Sequence, residues 1–171
     1  MIIKRLTLHN FGVYAGTNEF TFQGRKPIVL IGGLNGRGKT TFLEAVLLSL
    51  YGSNSFAYKE STYKSYSRYL RSFVNRNDPS KTCYLELEFQ TSASGSDTYL
   101  VHREWDIRGQ RTKEDISVAK NGAYNEFLTK NWPMFIENLL PSALSSFFFF
   151  DGEKIAKLAV DDTDEQLKNS I

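Results

Sequence analysis

Hydrophobic and polar residues alternate from the first residues of the chain. In IIKRLTLHNF, Leu6 and Leu8 fall on one face with Ile2 and Lys4, and Ile3, Arg5, Thr7 and His9 fall on the other. That is the period of a half-buried strand. Gly12 and Gly16 punctuate it, and NEFTF (18–22) predicts a second short strand. Residues 28–31 are continuously apolar, as in a strand buried on both faces of a parallel sheet. Over residues 39–51 the period lengthens. Phe42, Leu43, Val46, Leu47 and Leu50 recur at spacings of three and four, predicting a helix that Gly52 stops. A loop is expected over 53–62. Tyr66, Tyr69, Leu70, Phe73 and Val74 then return to helical spacing, up to the breaker Asn77-Asp78-Pro79-Ser80.

CYLELEFQ alternates cleanly, with Cys83, Leu85, Leu87 and Phe89 on one face and Tyr84, Glu86 and Glu88 on the other. TYLVHREWDI and EDISVAK predict two further strands, the last closing at Asn121-Gly122, so residues 81–122 read as an antiparallel meander. Residues 125–140 predict a helix interrupted near Pro133. Pro141 opens a short helix or turn, and four phenylalanines (147–150) run into Asp151-Gly152-Glu153. Beyond them Ile155, Leu158, Ala159 and Leu167 form a thin apolar stripe in a polar helix. There is no internal repeat.

Composition narrows the picture only slightly. A chain of 171 residues with 41% hydrophobic positions is long enough for one domain with its own core. The net charge of +2 names no partner, so any nucleic-acid argument must come from local clustering. The single cysteine, Cys83, excludes an internal disulfide and sits on a strand face, where core packing is expected; a cytoplasmic setting and no membrane partner follow as expectations. The run 147–150 is far shorter than the roughly 20 apolar residues of a membrane helix. His9 and His102 are expected to be packing or surface residues.

Chemistry enters at Gly33-Leu34-Asn35-Gly36-Arg37-Gly38-Lys39-Thr40, which fits the phosphate-binding loop pattern of a glycine, four residues, then Gly-Lys-Thr. An apolar segment enters the loop and an amphipathic helix leaves it, as the motif requires. Glycines let the backbone turn its N–H groups inward, and the helix N-terminus adds to the anion site. The expected ATP contacts are Asn35, Gly36, Arg37, Gly38, Lys39, Thr40 and Thr41. Lys39, the catalytic residue of the loop, reaches the β- and γ-phosphates, and the Thr40 hydroxyl ligates Mg²⁺.

GLNGRGKTTFLEAVLLSLYG resembles the first motif of the SMC-like ATPases, the branch of the ABC class that includes condensin, RecF, RecN and the break-repair ATPases. The opening strand leading to Asn10-Phe11 is similar to that family too. The resemblance implies an α/β P-loop fold of ABC/SMC type, with parallel core strands and an antiparallel β-subdomain. It implies an N-terminal ATPase lobe over residues 1–155 and the start of a coiled-coil helix over 156–171. It also makes residues 147–153 the Q-loop region: 147–150 would be a buried strand, and Asp151 would stand at the glutamine position as a catalytic and metal-contacting residue. Phe147 to Glu153 looks like one branch in particular, DndD, the ATPase of DNA phosphorothioate (sulfur) modification. Gly12, where a basic residue commonly follows Asn-Phe, agrees with that branch.

The signature motif, the Walker B strand and the switch histidine are absent from these residues, and in the family they lie beyond a long coiled coil. The resemblance therefore implies a C-terminal lobe of the same protein, a second head joined in an ATP-dependent dimer, DNA and the other sulfur-modification proteins as partners. ATPase activity is expected of the full-length protein and not of these residues alone. The alternatives are a break-repair or recombination ATPase of the same class and a non-hydrolysing nucleotide-sensing scaffold. A small-molecule kinase would need a lid and an acceptor site, and neither is visible. Over 58–81, six cations (Lys59, Lys64, Arg68, Arg71, Arg76, Lys81) stand against Glu60 and Asp78, interleaved with tyrosines. The tyrosines at helical spacing are expected to pack inward, and the cations to be solvated or to contact DNA.

Overall fold

The structure, a computed structural model, describes residues 1–22, 31–32, 34, 36–77, 79–91 and 97–149. Among them six strands make one sheet: β1 (Ile2–Phe11), β2 (Tyr14–Thr21), β3 (Thr82–Gln90), β4 (Thr98–Asp106), β5 (Glu114–Lys120) and β6 (Ala123–Tyr124). The order is β2-β1-β3-β4-β5-β6, and every neighbouring pair is antiparallel. The meander is β3 to β5, with the Asn121-Gly122 turn adding the short β6. The chain's first strand completes the sheet by pairing with β3, Leu6 opposite Leu87 and Leu8 opposite Leu85.

Leu6, Leu8, Leu85, Leu87, Phe89, Val101, Trp105 and Val118 form the buried face of this sheet. Helix α1 (Lys39–Tyr51) packs across it, with α3 (Tyr66–Phe73) and α4 (Glu126–Leu139) completing the core. The expected alternation of β1 fails at its start. Its register against β3 shifts between Ile3 and Arg5, so both Ile3 and Leu6 face core residues of β3, namely Phe89 and Leu87. A bulge adds one residue to a strand and reverses the side-chain alternation. The loop expected over 53–62 contains a short helix, α2 (Phe56–Lys59), whose first turn is capped by the Ser55 hydroxyl.

Helix α1 is more deeply enclosed than its period implied. Every residue from Ala45 to Tyr51 is buried, including Ser49, whose hydroxyl donates to the Ala45 carbonyl at 2.7 Å. Its last carbonyls, which a helix leaves unpaired, are met from three sides. Arg103 Nε donates to Ser49 O at 2.9 Å, Trp132 Nε1 donates to Leu50 O at 2.8 Å, and the Gly52 N–H donates to Leu48 O.

The described sheet has no parallel pair. Residues 28–30 of the expected parallel strand lie outside the described residues, and Ile31 belongs to no strand. The expected strand over 147–150 is corrected in part: Phe147 and Phe148 lie in helix α5 (Ser142–Phe148), and the Phe149 N–H donates to Ser145 O at 2.7 Å as the helical ladder ends. Four adjacent aromatics carry no period, so pattern alone does not separate strand from helix. The helix set up after Pro141 runs into them. Asp151, the rest of the expected Q-loop region and the expected coiled-coil start at 156–171 lie outside the described residues.

Candidate nucleotide-binding site

The site begins at the joint between β1 and β2. Only Gly12 and Val13 separate Phe11 from its partner Tyr14, and Gly12 takes φ +59°, as a tight hairpin turn demands of its first residue. Asn10, fully buried at φ +50°, shapes the approach. Its side chain accepts from Gly16 N–H at 2.7 Å and donates to Thr82 O at 3.3 Å. Asn75, just after α3, ties the turn down: its backbone N–H donates to Asn10 O and its side-chain amide to Gly12 O, both at 2.8 Å.

The turn lies against the phosphate loop. A Cβ on Gly12 would come within 2.5 Å of Thr41 Cγ2, in the first turn of α1. This accounts for the absence of a basic side chain at position 12: the space holds a helix, and the positive φ favours glycine. A Cβ on Gly38 would meet Val13 Cγ2 at 2.8 Å and the Tyr14 hydroxyl at 2.9 Å. Gly38 itself takes φ +97° and Gly36 takes φ +76°, so both perform the turning expected of them.

Gly38 is the N-cap of α1, and no side chain caps this end. No acidic residue occupies the first turn. The positive end of the helix dipole is therefore not neutralised from within the helix, and its leading N–H groups have no intrahelical acceptors. Lys39 Nζ reaches back across the loop to Leu34 O at 3.2 Å. Arg37, Lys39 and Thr40 are exposed. This donor set fits a polyphosphate. Thr40 is the one expected metal contact that the structure describes, and among the described residues no group of three His, Cys, Asp or Glu could hold a metal ion. Gly33, Asn35 and Asp151 lie outside the described residues, so the structure brings together Gly36 to Thr41 from the expected set. The sequence marked Asn10 only as part of the Asn-Phe pair and gave no role to Tyr14 or Asn75. The signal for the first was the Asn-Phe-Gly wording before a second glycine.

The tyrosines at helical spacing, Tyr66 and Tyr69, pack inward as expected, whereas Tyr63 is exposed. Tyr69 is 2% exposed, stacks edge-on to Phe73, and lies against Tyr58 and Tyr66. Lys59, Lys64, Arg68, Arg76 and Lys81 are exposed. Arg71 differs: it donates to Gly109 O at 2.8 Å, Thr112 Oγ1 at 3.1 Å and Ile107 O at 3.3 Å. It holds the β4–β5 loop to α3, placing that loop's exposed Arg108, Arg111 and Lys113 beside the helix that carries Arg68. Arg108 pairs with Asp106 at 2.9 Å and Lys113 with Asp115 at 3.2 Å, so of the cations of IRGQRTK it is Arg111 that extends the basic stretch, a link the sequence separation concealed. On the sheet's outer face His9, Tyr84 and His102 stack in series, with ring centroids 4.7 and 5.4 Å apart. Cys83 is buried, and desolvation pushes its thiol well above the usual range.

Known proteins are similar to this chain. The AAA domain family matches residues 5–171. A component of the nuclease SbcCD from Treponema pallidum is 38% identical over 99 residues, covering 58% of this chain and 8% of that protein. The chain is also similar to "DNA double-strand break repair Rad50 ATPase" of Methanocaldococcus jannaschii, 29% identical over 149 residues, covering 81% of this chain and 13% of that protein. The corresponding SbcCD component of Vibrio cholerae is 42% identical over 53 residues, covering 30% of this chain and 5% of that protein. The chain thus spans a small fraction of these relatives, 8% and 13% of the first two. No described helix is long and apolar enough to cross a membrane. With its phosphate loop, uncapped helix and antiparallel sheet, the chain belongs to the AAA domain family, as the N-terminal region of an SMC-like ABC-type ATPase head.

Proposed function

We propose that this chain binds ATP with Mg²⁺ in a head whose nucleotide-driven engagement acts on DNA, in the manner of a break-repair ATPase. The observation that carries the nucleotide reading is the join of Gly36 and Gly38, both at positive φ, to an uncapped helix whose first residue is Lys39. Lys39 offers its ammonium to the β- and γ-phosphates, and the amides of the loop and first turn take up the remaining phosphate oxygens. Thr40 would hold the metal through its hydroxyl. When bound, Mg²⁺ would supply charge neutralisation to the phosphates. Asp151 would act on the metal and its water.

The repair reading is favoured because the similar proteins carry a double-strand-break repair name and a nuclease name. Exposed Arg68 of α3, Lys64 just before it and Arg111 of the β4–β5 loop offer phosphate contacts of the sequence-independent kind such an enzyme needs. Phosphorothioate modification is supported by the wording of residues 147–153 and Gly12 alone. The partners proposed are the C-terminal lobe of the same protein, a second head and DNA.

Lys39→Ala in the full-length protein tests the site. It should abolish ATP hydrolysis and weaken nucleotide binding in calorimetry, while the melting midpoint stays near wild type. Wild-type turnover by that variant would overturn the assignment. The 171-residue chain alone should show no steady turnover.

A further inference from the structure

The β1–β2 hairpin does more than cover the phosphate loop. Tyr14 donates its hydroxyl proton to the Gly38 carbonyl at 3.2 Å, the same oxygen that accepts the Phe42 N–H at 2.8 Å. A trans peptide is planar, with C=O and N–H pointing in opposite directions. Two donors on the Gly38 carbonyl therefore fix the direction of the Lys39 N–H as well. That N–H points out of the helix N-terminus, toward the space in front of the loop.

The hydroxyl is itself held in place. The Tyr14 ring lies edge-on to Phe20 at 5.7 Å, and Phe20 lies edge-on to Phe42 of α1 at 5.1 Å. Burial pushes the phenol above its ordinary range, so it stays protonated and able to donate. The turn beneath is tied to the end of α3, since Gly12 N–H donates to Phe73 O at 2.6 Å and Asn75 holds Gly12 O.

We propose that Tyr14 is a positioning residue for nucleotide binding, its hydroxyl orienting the Gly38–Lys39 peptide so that the Lys39 amide meets a phosphate oxygen. The proposal rests on the nucleotide reading above. Tyr14→Phe keeps the ring and its packing and removes only the donor. Affinity of the full-length protein for ATP and ADP, each with Mg²⁺, is measured by calorimetry beside the melting midpoint and the hydrogen exchange of the Lys39 amide. Affinity for both nucleotides should fall by the same factor, about three- to tenfold, as expected for one lost hydrogen bond. Exchange at Lys39 should quicken while exchange along β2 stays as in wild type. A lowered midpoint with wild-type affinity would reduce Tyr14 to a stability role and overturn the proposal. If wild type binds neither nucleotide, the nucleotide reading fails, and this proposal with it.

Discussion

Replacing Arg103 by methionine strikes the polar centre of the core. Arg103 is 4% exposed, on the sheet face that meets α1. Its Nη1 lies 2.8 Å from Glu114 Oε2, and its Nε donates to Ser49 O at the end of α1. Glu114 accepts a second bond from the Tyr66 hydroxyl at 2.7 Å. Room for the guanidinium comes from Gly52, where a Cβ would stand 2.6 Å from Nη1. Methionine restores the bulk but leaves a mostly buried carboxylate without its cation. Breaking a buried pair from one side costs about 3–5 kcal/mol. The surviving Tyr66 bond places this case near the lower figure, about 3 kcal/mol. For a chain of this size that corresponds to a midpoint lower by roughly 6–12 °C. Urea unfolding should show a reduced midpoint at unchanged slope. Glu114→Gln and the double variant complete a cycle, and the double variant should lose less than the two single losses added together. An Arg103→Met protein within about 1 kcal/mol of wild type would show that the pair is not an essential tie between sheet and helix.

Three further outcomes are expected. His102 is held above its ordinary range by its hydrogen bond to Glu86, against some desolvation and with help from Glu104, and Glu86 is held low by the same bond with Arg5 adding to it. The pair's stabilisation is therefore complete between the two titrations: it fades as pH rises through the raised His102 value and as pH falls through the lowered Glu86 value. The midpoint gap between wild type and His102→Gln should be larger near about pH 6 than near about pH 9, and an equal gap at both would refute the pairing. Reversing Lys64 and Arg68 to glutamate should weaken DNA binding and flatten its salt dependence, whereas Arg71→Gln should loosen the β4–β5 loop, seen as faster exchange at Gly109 to Thr112; unchanged salt slope in the first variant would remove DNA from this surface. Asp151→Asn should keep the midpoint, lower ATPase activity and raise the Mg²⁺ requirement; wild-type activity and Mg²⁺ dependence in that variant, with lost stability in Asp151→Ala, would make the residue a helix cap instead.

Local pattern made much of this legible. The clean alternation of β3 and the spacing of α3 were readable because one face of each meets the core and the other does not, whereas α1 was readable from its apolar spacing although Ala45 to Tyr51 are all buried. The phosphate loop was readable because its chemistry demands residues in fixed order. Pairings between distant segments were not readable: nothing local says that β1 lies beside β3, or that Arg71 spends its donors on carbonyls of residues 107–109. The enclosure of Ser49 was hidden for the same reason, since only the packed sheet and α4 close over that side of α1. Asn10, at the end of a strand, and Asn75, just after a helix, show no role in the sequence until the turn they hold is seen against Gly38 and Thr41. The phenylalanine run misled because a strand buried on both faces and a helix running into aromatics present the same letters.

The pairing of β1 with β3 also bears on the order of synthesis. Leu6 leaves the ribosome about 80 residues before Leu87, so at roughly 5–20 residues per second the first strand waits roughly 4–16 s for the neighbour that covers its other side. During that interval β2 is its partner among the described strands, and a lone hairpin is marginal in water. The apolar faces of Leu6, Leu8, Leu47 and Leu48 have no sheet to close on until β3 emerges. The nascent chain should therefore stay open to chaperones and proteases over this region until residue 90 is made, and gain protection abruptly once β3 docks. The phosphate loop, made early, would thus be shaped late, because the hairpin that presses on it is not seated until the third strand arrives.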